Sequence, residues 1–158
     1  MSAYERIISK LKENGVDYKI YSHETLLSSG DAYERGNLEF DVENGFKTLA
    51  FQICDRFILV VLHGRDRLDY KKICEILCIK RKDIKVASAE WLENHGYTSG
   101  GISPIPVTEN ARVIVDSKIL EYTKIVCGSG DGEKTIEINT PNLLNITSAD
   151  VHKIAKDV

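Results

Sequence analysis

Two features of the chain carry residue types that can act on a carbonyl or a phosphate. The first is the run Gly100-Gly101-Ile102-Ser103-Pro104. Successive glycines let a backbone take positive φ and approach a ligand closely. Pro104 stiffens the exit, and Ser103 adds a small hydroxyl. Such a loop can aim N–H groups at a carbonyl oxygen or a phosphate. It can equally be a plain turn between a helix and a strand. It is neither a GxGxxG dinucleotide fingerprint nor a phosphate loop ending in Gly-Lys-Ser/Thr. The second feature is Lys47, which heads an apolar run just after Gly45-Phe46. Directed into a cleft, its ammonium binds a phosphate or polarises a carbonyl. At a solvated strand end it does neither. A third segment, Gly128-Ser129-Gly130, follows the apolar run ending at Cys127. It is either a hairpin connection with Asp131-Gly132 or one wall of a pocket.

The remaining reactive residue types are scattered. No pair among His23, His63, His95 and His152 has metal-ligand spacing. His95, one residue before Gly96, is expected to cap a helix end. His152 is expected on an exposed face of a terminal helix. His23 ends the first strand before a long irregular segment, so it is the histidine best placed to line a site. Ser103, His23 and Asp116 have the composition of a hydrolytic triad, but nothing in their spacing supports one. Cys54, Cys74, Cys78 and Cys127 sit among apolar neighbours, which suits reduced core thiols. Cys74 and Cys78 share a helical face, so a zinc site with Cys54 and Cys127 is conceivable, but no CxxC pair is present. The expectation is no metal and no cofactor. Lys71, Lys72, Lys80, Arg81, Lys82 and Lys85 form a basic stretch. It is either a landing surface for RNA phosphates or a set of solvated faces.

These residues need elements to position them. Ser2-x-x-Glu5 reads as a capping box, with Tyr4, Ile7, Ile8 and Leu11 at helical spacing and Gly15 as the stop. Val16, Tyr18 and Ile20 alternate into a first strand. From His23 to Gly45 the signals are mixed. Ser28-Ser29-Gly30 can open a short helix through Ala32 and Arg35, broken at Gly36. Lys47–Cys54 and Phe57–Leu62 read as a hairpin turning at Asp55-Arg56. Asp69 and Ser88 are candidate caps for two helices, carrying Ile73, Ile76 and Leu77, and Ala89, Trp91 and Leu92. Arg112–Val115, Thr123–Cys127 and Lys134–Ile138 read as strands. Thr147-x-x-Asp150 is expected to begin a final helix with Val151, Ile154 and Ala155 inward. Irregular alternation of helices and hairpins favours a mixed α/β sheet or a partly open barrel over a regular βαβ series.

Composition bounds the rest. At 158 residues the chain fits one domain and can bury a core without staples. The formal net charge of -3 argues against a non-specific nucleic-acid coat but leaves room for a local basic patch. No apolar run approaches the roughly 18 residues of a membrane span. With no targeting segment, a cytoplasmic location is the expectation.

Three segments in order resemble the YbaK family of prolyl-tRNA-synthetase editing domains. They are Phe46-Lys47-Thr48-Leu49, Gly96-Tyr97-Thr98-Ser99-Gly100-Gly101-Ile102-Ser103-Pro104, and Val113-Ile114-Val115-Asp116. Leu68-Asp69-Tyr70-Lys71-Lys72 resembles the family's segment before its middle helix. The likeness covers essentially the whole chain. It implies a twisted mixed β-sheet curled into a partly open barrel and surrounded by helices. It implies hydrolysis of the ester joining a wrong amino acid to the terminal adenosine of tRNA, commonly cysteine or alanine on tRNA for proline. Lys47 matches the family's essential lysine. Gly100 to Pro104 match its GxxxP loop, which makes Gly101 and Ser103 candidate catalytic positions and Gly100, Ile102 and Pro104 pocket positions. Thr48, Gly128, Ser129 and Gly130 would line the same pocket, and so would Tyr21 or His23. Implied partners are the tRNA acceptor end, with Lys71, Lys72, Lys80, Arg81 and Lys82 toward its phosphates, and a synthetase. Neither DNA nor a membrane is implied. Thr135 stands where many hydrolytic members carry an acid, two residues before Glu137. Ile105-Pro106 replaces a usual Leu-Gly. Two other readings stay open: a non-catalytic tRNA- or synthetase-binding module, and a hydrolase of small aminoacyl esters.

Overall fold

Side-chain caps open most of the early helices where the sequence places them. The Ser2 Oγ accepts the Glu5 amide at 3.1 Å, satisfying one of the free N–H groups of the first turn. Asp69 accepts the Lys71 and Lys72 amides, and Ser88 accepts that of Trp91 at 3.0 Å. The computed structural model describes residues 1–26, 29–35, 38–109 and 111–157. Its elements in chain order are α1 (Ala3–Glu13), β1 (Tyr18–Ser22), α2 (Ser29–Arg35), β2 (Phe46–Ile53), β3 (Arg56–His63), α3 (Tyr70–Leu77), β4 (Lys85–Val86), α4 (Ala89–Asn94), β5 (Ala111–Asp116), β6 (Lys124–Gly128), β7 (Lys134–Asn139), α5 (Thr140–Thr147) and β8 (Asp150–His152). The short helix expected after the first strand is α2; its proposed start at Ser28 and stop at Gly36 lie outside the described residues.

The strands form two sheets. A five-stranded sheet runs β4-β2-β3-β5-β8, and a three-stranded antiparallel sheet runs β1-β7-β6. Within the larger sheet β2 pairs antiparallel with β3 and β4, while β3–β5 and β5–β8 are parallel. The two sheets touch at a bridge between Gly45 and Val126. The fold is therefore the expected mixed α/β type, and its curl stops short of a closed barrel.

β3 is the central strand, and Phe57 to His63 are all buried. A strand covered on both faces needs this unbroken apolar run. Phe57, Leu59 and Val61, with Val113 and Val115, face Ile125, Cys127, Ile136 and Ile138 of the smaller sheet and Ile7 and Leu11 of α1. Ile58, Val60 and Leu62, with Ile114, face Ile73 of α3 and Ile154. Each such side chain contributes about 1.5–3 kcal/mol on burial. The period-2 geometry leaves no freedom in register, because a one-residue slip would exchange the two faces.

Three expectations change. The β2–β3 turn is Cys54-Asp55, with Ile53 paired to Arg56 and Cys54 at φ 54°. Arg56 opens the second strand. The final helix does not begin at Thr147: α5 ends there, Ser148 takes φ 50°, and the chain continues as β8 beside β5. The cause is long-range. The buried Asp116 carboxylate accepts the amides of Ile154 at 2.9 Å and Ala155 at 3.0 Å, which draws the C-terminal segment onto the sheet. His152 is accordingly an exposed strand residue, and Asp116 serves the fold rather than a triad. Of the cysteines, only Cys127 is a buried core thiol. Cys74 is half-buried, and Cys54 and Cys78 are exposed. His95 does cap α4, its Nδ1 donating to Trp91 O at 2.7 Å. Among the described residues no helix is long and apolar enough to cross a membrane.

Replacing Asp116 by Ala orphans two buried amides at once. Asp116→Ala is expected to lower stability by about 3 kcal/mol or more in urea unfolding.

Candidate functional site

The site begins with two backbones pressed together. A Cβ on Gly128, at the end of β6, would lie 2.1 Å from Ile102 O and 2.7 Å from Gly101 O. Only glycine allows the 98–104 loop to lie on the strand there. Gly101 has φ 70°, and a Cβ on it would meet the Asp131 carbonyl at 2.9 Å. Gly130 N donates to Gly101 O at 2.7 Å, and Thr98 Oγ1 reaches Gly130 O at 2.8 Å. The two glycine segments thus form one interlocked wall. Ser129 is fully buried inside it, its Oγ donating to Lys134 O at 2.6 Å and accepting the Asp131 amide. Ser103 is also buried, and its Oγ accepts the Ile105 amide at 3.2 Å.

Behind this wall lies a cavity of about 190 Å³. Of the candidate residues, His23, Lys47, Thr48, Gly101, Ile102 and Gly128 line it. Gly100, Ser103, Pro104, Ser129 and Gly130 do not; Ser103, Ser129 and Gly130 shape the wall from behind. Tyr21 faces a neighbouring cavity that shares His23 and Phe40 with the first, and its hydroxyl donates to Glu137 at 3.1 Å. Lining residues that sequence reasoning missed include Phe40, Ser99, Cys127, Asp131 and Lys134. Phe40 was detectable as one of two aromatics, with Tyr33, in the irregular segment from His23 to Gly45. Asp131 was hidden because Asp131-Gly132 also reads as a turn.

The polar groups of the cavity are held in defined states. Lys47 Nζ donates to Asp66 O at 2.5 Å and Gly64 O at 3.3 Å, which leaves one of its three N–H groups for a ligand. Burial lowers its pKa, the Asp66 charge opposes that shift, and Arg67 adds to it. Among the described residues, the amides of Gly100, Gly101, Ile102 and Ser103 donate to no acceptor. The Thr48 Oγ1 is likewise buried without a partner. His23 Nδ1 lies 2.7 Å from Glu24 O, and its Nε2 lies 2.8 Å from Thr135 Oγ1. Asp131 accepts the Glu133 amide at 2.9 Å and pairs with Lys134 at 3.2 Å, which together hold its carboxyl below the usual range. The Cys127 thiol is pushed up to about 12 by burial, so it stays protonated and apolar.

Residues 24–146, which include every residue lining the cavity except His23, match the model of the aminoacyl-tRNA editing domain. The chain belongs to the aminoacyl-tRNA editing domain family. Proline--tRNA ligase of Listeria monocytogenes serovar 1/2a is 30% identical to this editing domain over 114 residues, 72% of the chain and 20% of the ligase. Proline--tRNA ligase of Lactococcus lactis subsp. cremoris strain MG1363 is 36% identical over 93 residues, 58% of the chain and 15% of the ligase. The editing domain therefore spans no more than a fifth of the length of these relatives. The crystal structure of a proposed trans-editing enzyme for prolyl-tRNA synthetase superposes with a TM-score of 0.81 at 19% identity, covering 99% of both chains. That likeness is one of fold. The basic residues Lys71, Lys72, Lys80, Arg81 and Lys82 lie on α3 and the turn after it, and none lines the cavity. Lys72 is engaged near Asp69 and Asp157, and Arg81 stacks on Tyr70. Among the described residues no cluster of His, Cys, Asp and Glu could hold a metal ion.

Gly128→Ala is expected to cost at least roughly 3 kcal/mol, because the added methyl meets backbone that cannot give way; thermal unfolding reads this. Thiol labelling of the native protein is expected to modify Cys54 and Cys78 rapidly and Cys127 only on unfolding.

Proposed function

We propose that this chain acts as a single editing domain over residues 1–158 and hydrolyses, in trans, the ester of a mischarged aminoacyl-tRNA. Cysteine or alanine on tRNA for proline are the first candidates. The observation that carries the reading is the pairing of unengaged loop amides at Gly101 and Ile102 with the Lys47 ammonium on one small cavity. An aminoacyl ester is already activated, so it needs a held carbonyl, a placed water and a size-limited pocket. The loop amides supply preorganised donors for the developing oxyanion. Lys47 supplies positive charge through its remaining N–H. About 190 Å³ is below the roughly 300–1,000 Å³ of pockets for drug-sized ligands, which suits a small aminoacyl group.

Size selection of this kind discriminates by about 10–200-fold per methylene, so it works as a second sieve after a synthetase has made its choice. The exposed lysines of α3 and the following turn would meet backbone phosphates of the tRNA. Thr135, in the position where many members carry an acid, favours the alternative of a non-catalytic tRNA- or synthetase-binding module.

Deacylation of a panel of mischarged tRNAs separates the readings. The expected result is release of a small amino acid from at least one tRNA, reduced about 10²-fold or more by Lys47→Ala. Tight tRNA binding without turnover would establish the binding module instead. Equal turnover of free aminoacyl esters, with or without the tRNA body, would establish a small-ester hydrolase.

A further inference from the structure

We propose that Thr135 and His23 together form the proton acceptor of the hydrolysis, with Thr135 passing a proton from the attacking water to the imidazole. The proposal rests on the deacylase reading above.

Strand pairing builds the pair. β1 and β7 run antiparallel with Tyr21 opposite Thr135, and the His23 amide extends the ladder by donating to Glu133 O at 2.9 Å. This brings the ring of His23 over the Thr135 hydroxyl, while the Phe40 ring stands edge-on at 6.0 Å. The tautomer follows from the partners. A carbonyl can only accept, so the contact of Nδ1 with Glu24 O requires the proton on Nδ1. In the neutral ring Nε2 then holds a lone pair, and Thr135 must donate to it across 2.8 Å. The hydroxyl's own lone pairs remain, and Thr135 lines the cavity that Gly101, Ile102 and Lys47 line. A hydroxyl, a base within reach and a third group orienting the base make an activated hydroxyl, which can take a proton from water as it gives its own to the ring.

The other groups of the cavity are less suited to this role. Asp131 is committed to Lys134 and the Glu133 amide, Lys47 is a cation held by two carbonyls, and Cys127 is a protonated thiol. Charged neighbours that bear on His23 are Asp131 and Lys134 from the cavity wall, Glu133 across the ladder, Lys47, and Glu24 and Glu39 around the adjoining cavity.

The step balances. The water oxygen bonds to the ester carbonyl carbon as a water proton moves to Thr135 Oγ1 and the Thr135 proton moves to His23 Nε2. The carbonyl electron pair becomes the oxyanion at the loop amides. Collapse re-forms the carbonyl and breaks the bond to the ribose oxygen, which takes the proton back along the same path. The products are a free amino acid and an intact ribose hydroxyl.

The test is kcat against pH, from below to above the range in which imidazole titrates, on the tRNA that the wild-type protein deacylates. Wild-type kcat is expected to rise with pH along one limb. His23→Gln and Thr135→Val should each lose that limb and about 10²-fold or more in kcat, with KM nearly unchanged. Thr135→Ser, which keeps the hydroxyl, should retain the limb and most of kcat. Nitrogen NMR of the unliganded protein should show neutral His23 protonated at Nδ1, with Nε2 shifted in Thr135→Val. The proposal is overturned by a limb that survives in His23→Gln, by a neutral ring protonated at Nε2, or by an acyl group found on Thr135 after rapid quench. If turnover depends on Lys47 and yet ignores His23, the relay alone falls. If the wild-type protein releases no amino acid from any tRNA, the deacylase reading falls with it.

Discussion

The site depends on one backbone-on-backbone contact. Gly128 lets the carbonyls of Gly101 and Ile102 come where any side chain would stand, and this fixes the glycine loop against the end of β6. Everything else in the wall is arranged around that approach. Gly101 turns at positive φ to clear Asp131, Gly130 donates back to Gly101, and Ser129 ties the return of the chain to Lys134. Polar groups that close a turn inward leave other groups facing outward. Of the loop amides that find no acceptor among the described residues, those of Gly101 and Ile102 belong to residues that line the cavity. Donors held by such a wall need little reorganisation to meet a negatively charged group.

The same economy governs the charged and titratable side chains. Lys47 is brought to the cavity with two of its three protons held by main-chain carbonyls of the loop after β3. That loop is itself fixed, because Gly64 N donates to Gly45 O, next to the bridge that joins the two sheets. A lysine so held is a placed point of charge rather than a mobile one. His23 is placed by a ladder bond and by contacts to both ring nitrogens. Thr135 meets this ring with a hydroxyl, which adds no charge to a cavity already carrying Asp131.

The central strand and its neighbours are legible in the chain because their signal is local. Phe57 to Leu62 can only be a strand covered on both sides, and Ser2, Asp69 and Ser88 announce helix starts within three residues of themselves. The C-terminal segment is not legible for the opposite reason. Thr147-x-x-Asp150 has the pattern of a cap, but Asp116, 38 residues before Ile154, takes the amides of that segment and sets it beside β5. Local propensity contains no record of such a partner. Cys54 and Cys78 mislead in a similar way: apolar neighbours suggest burial, whereas both stand at exposed left-handed turns.

For the site, residue types and order along the chain determine that Lys47, the glycine loop and Gly128 belong to one family pattern. They do not determine which atoms face the cavity. Ser103 and Ser129 have the chemistry of site residues, yet both spend their hydroxyls on turns, while Asp131, Lys134 and Thr135 come to the surface of the cavity. Facing is decided by strand pairing and by how closely two loops can pack, both long-range quantities. The sequence by itself therefore determined the family, the strand cores and the glycines that a close approach requires. Only the tertiary structure decided that His23 meets Thr135, because their sequence separation of 112 is closed by the β1–β7 register and by nothing local.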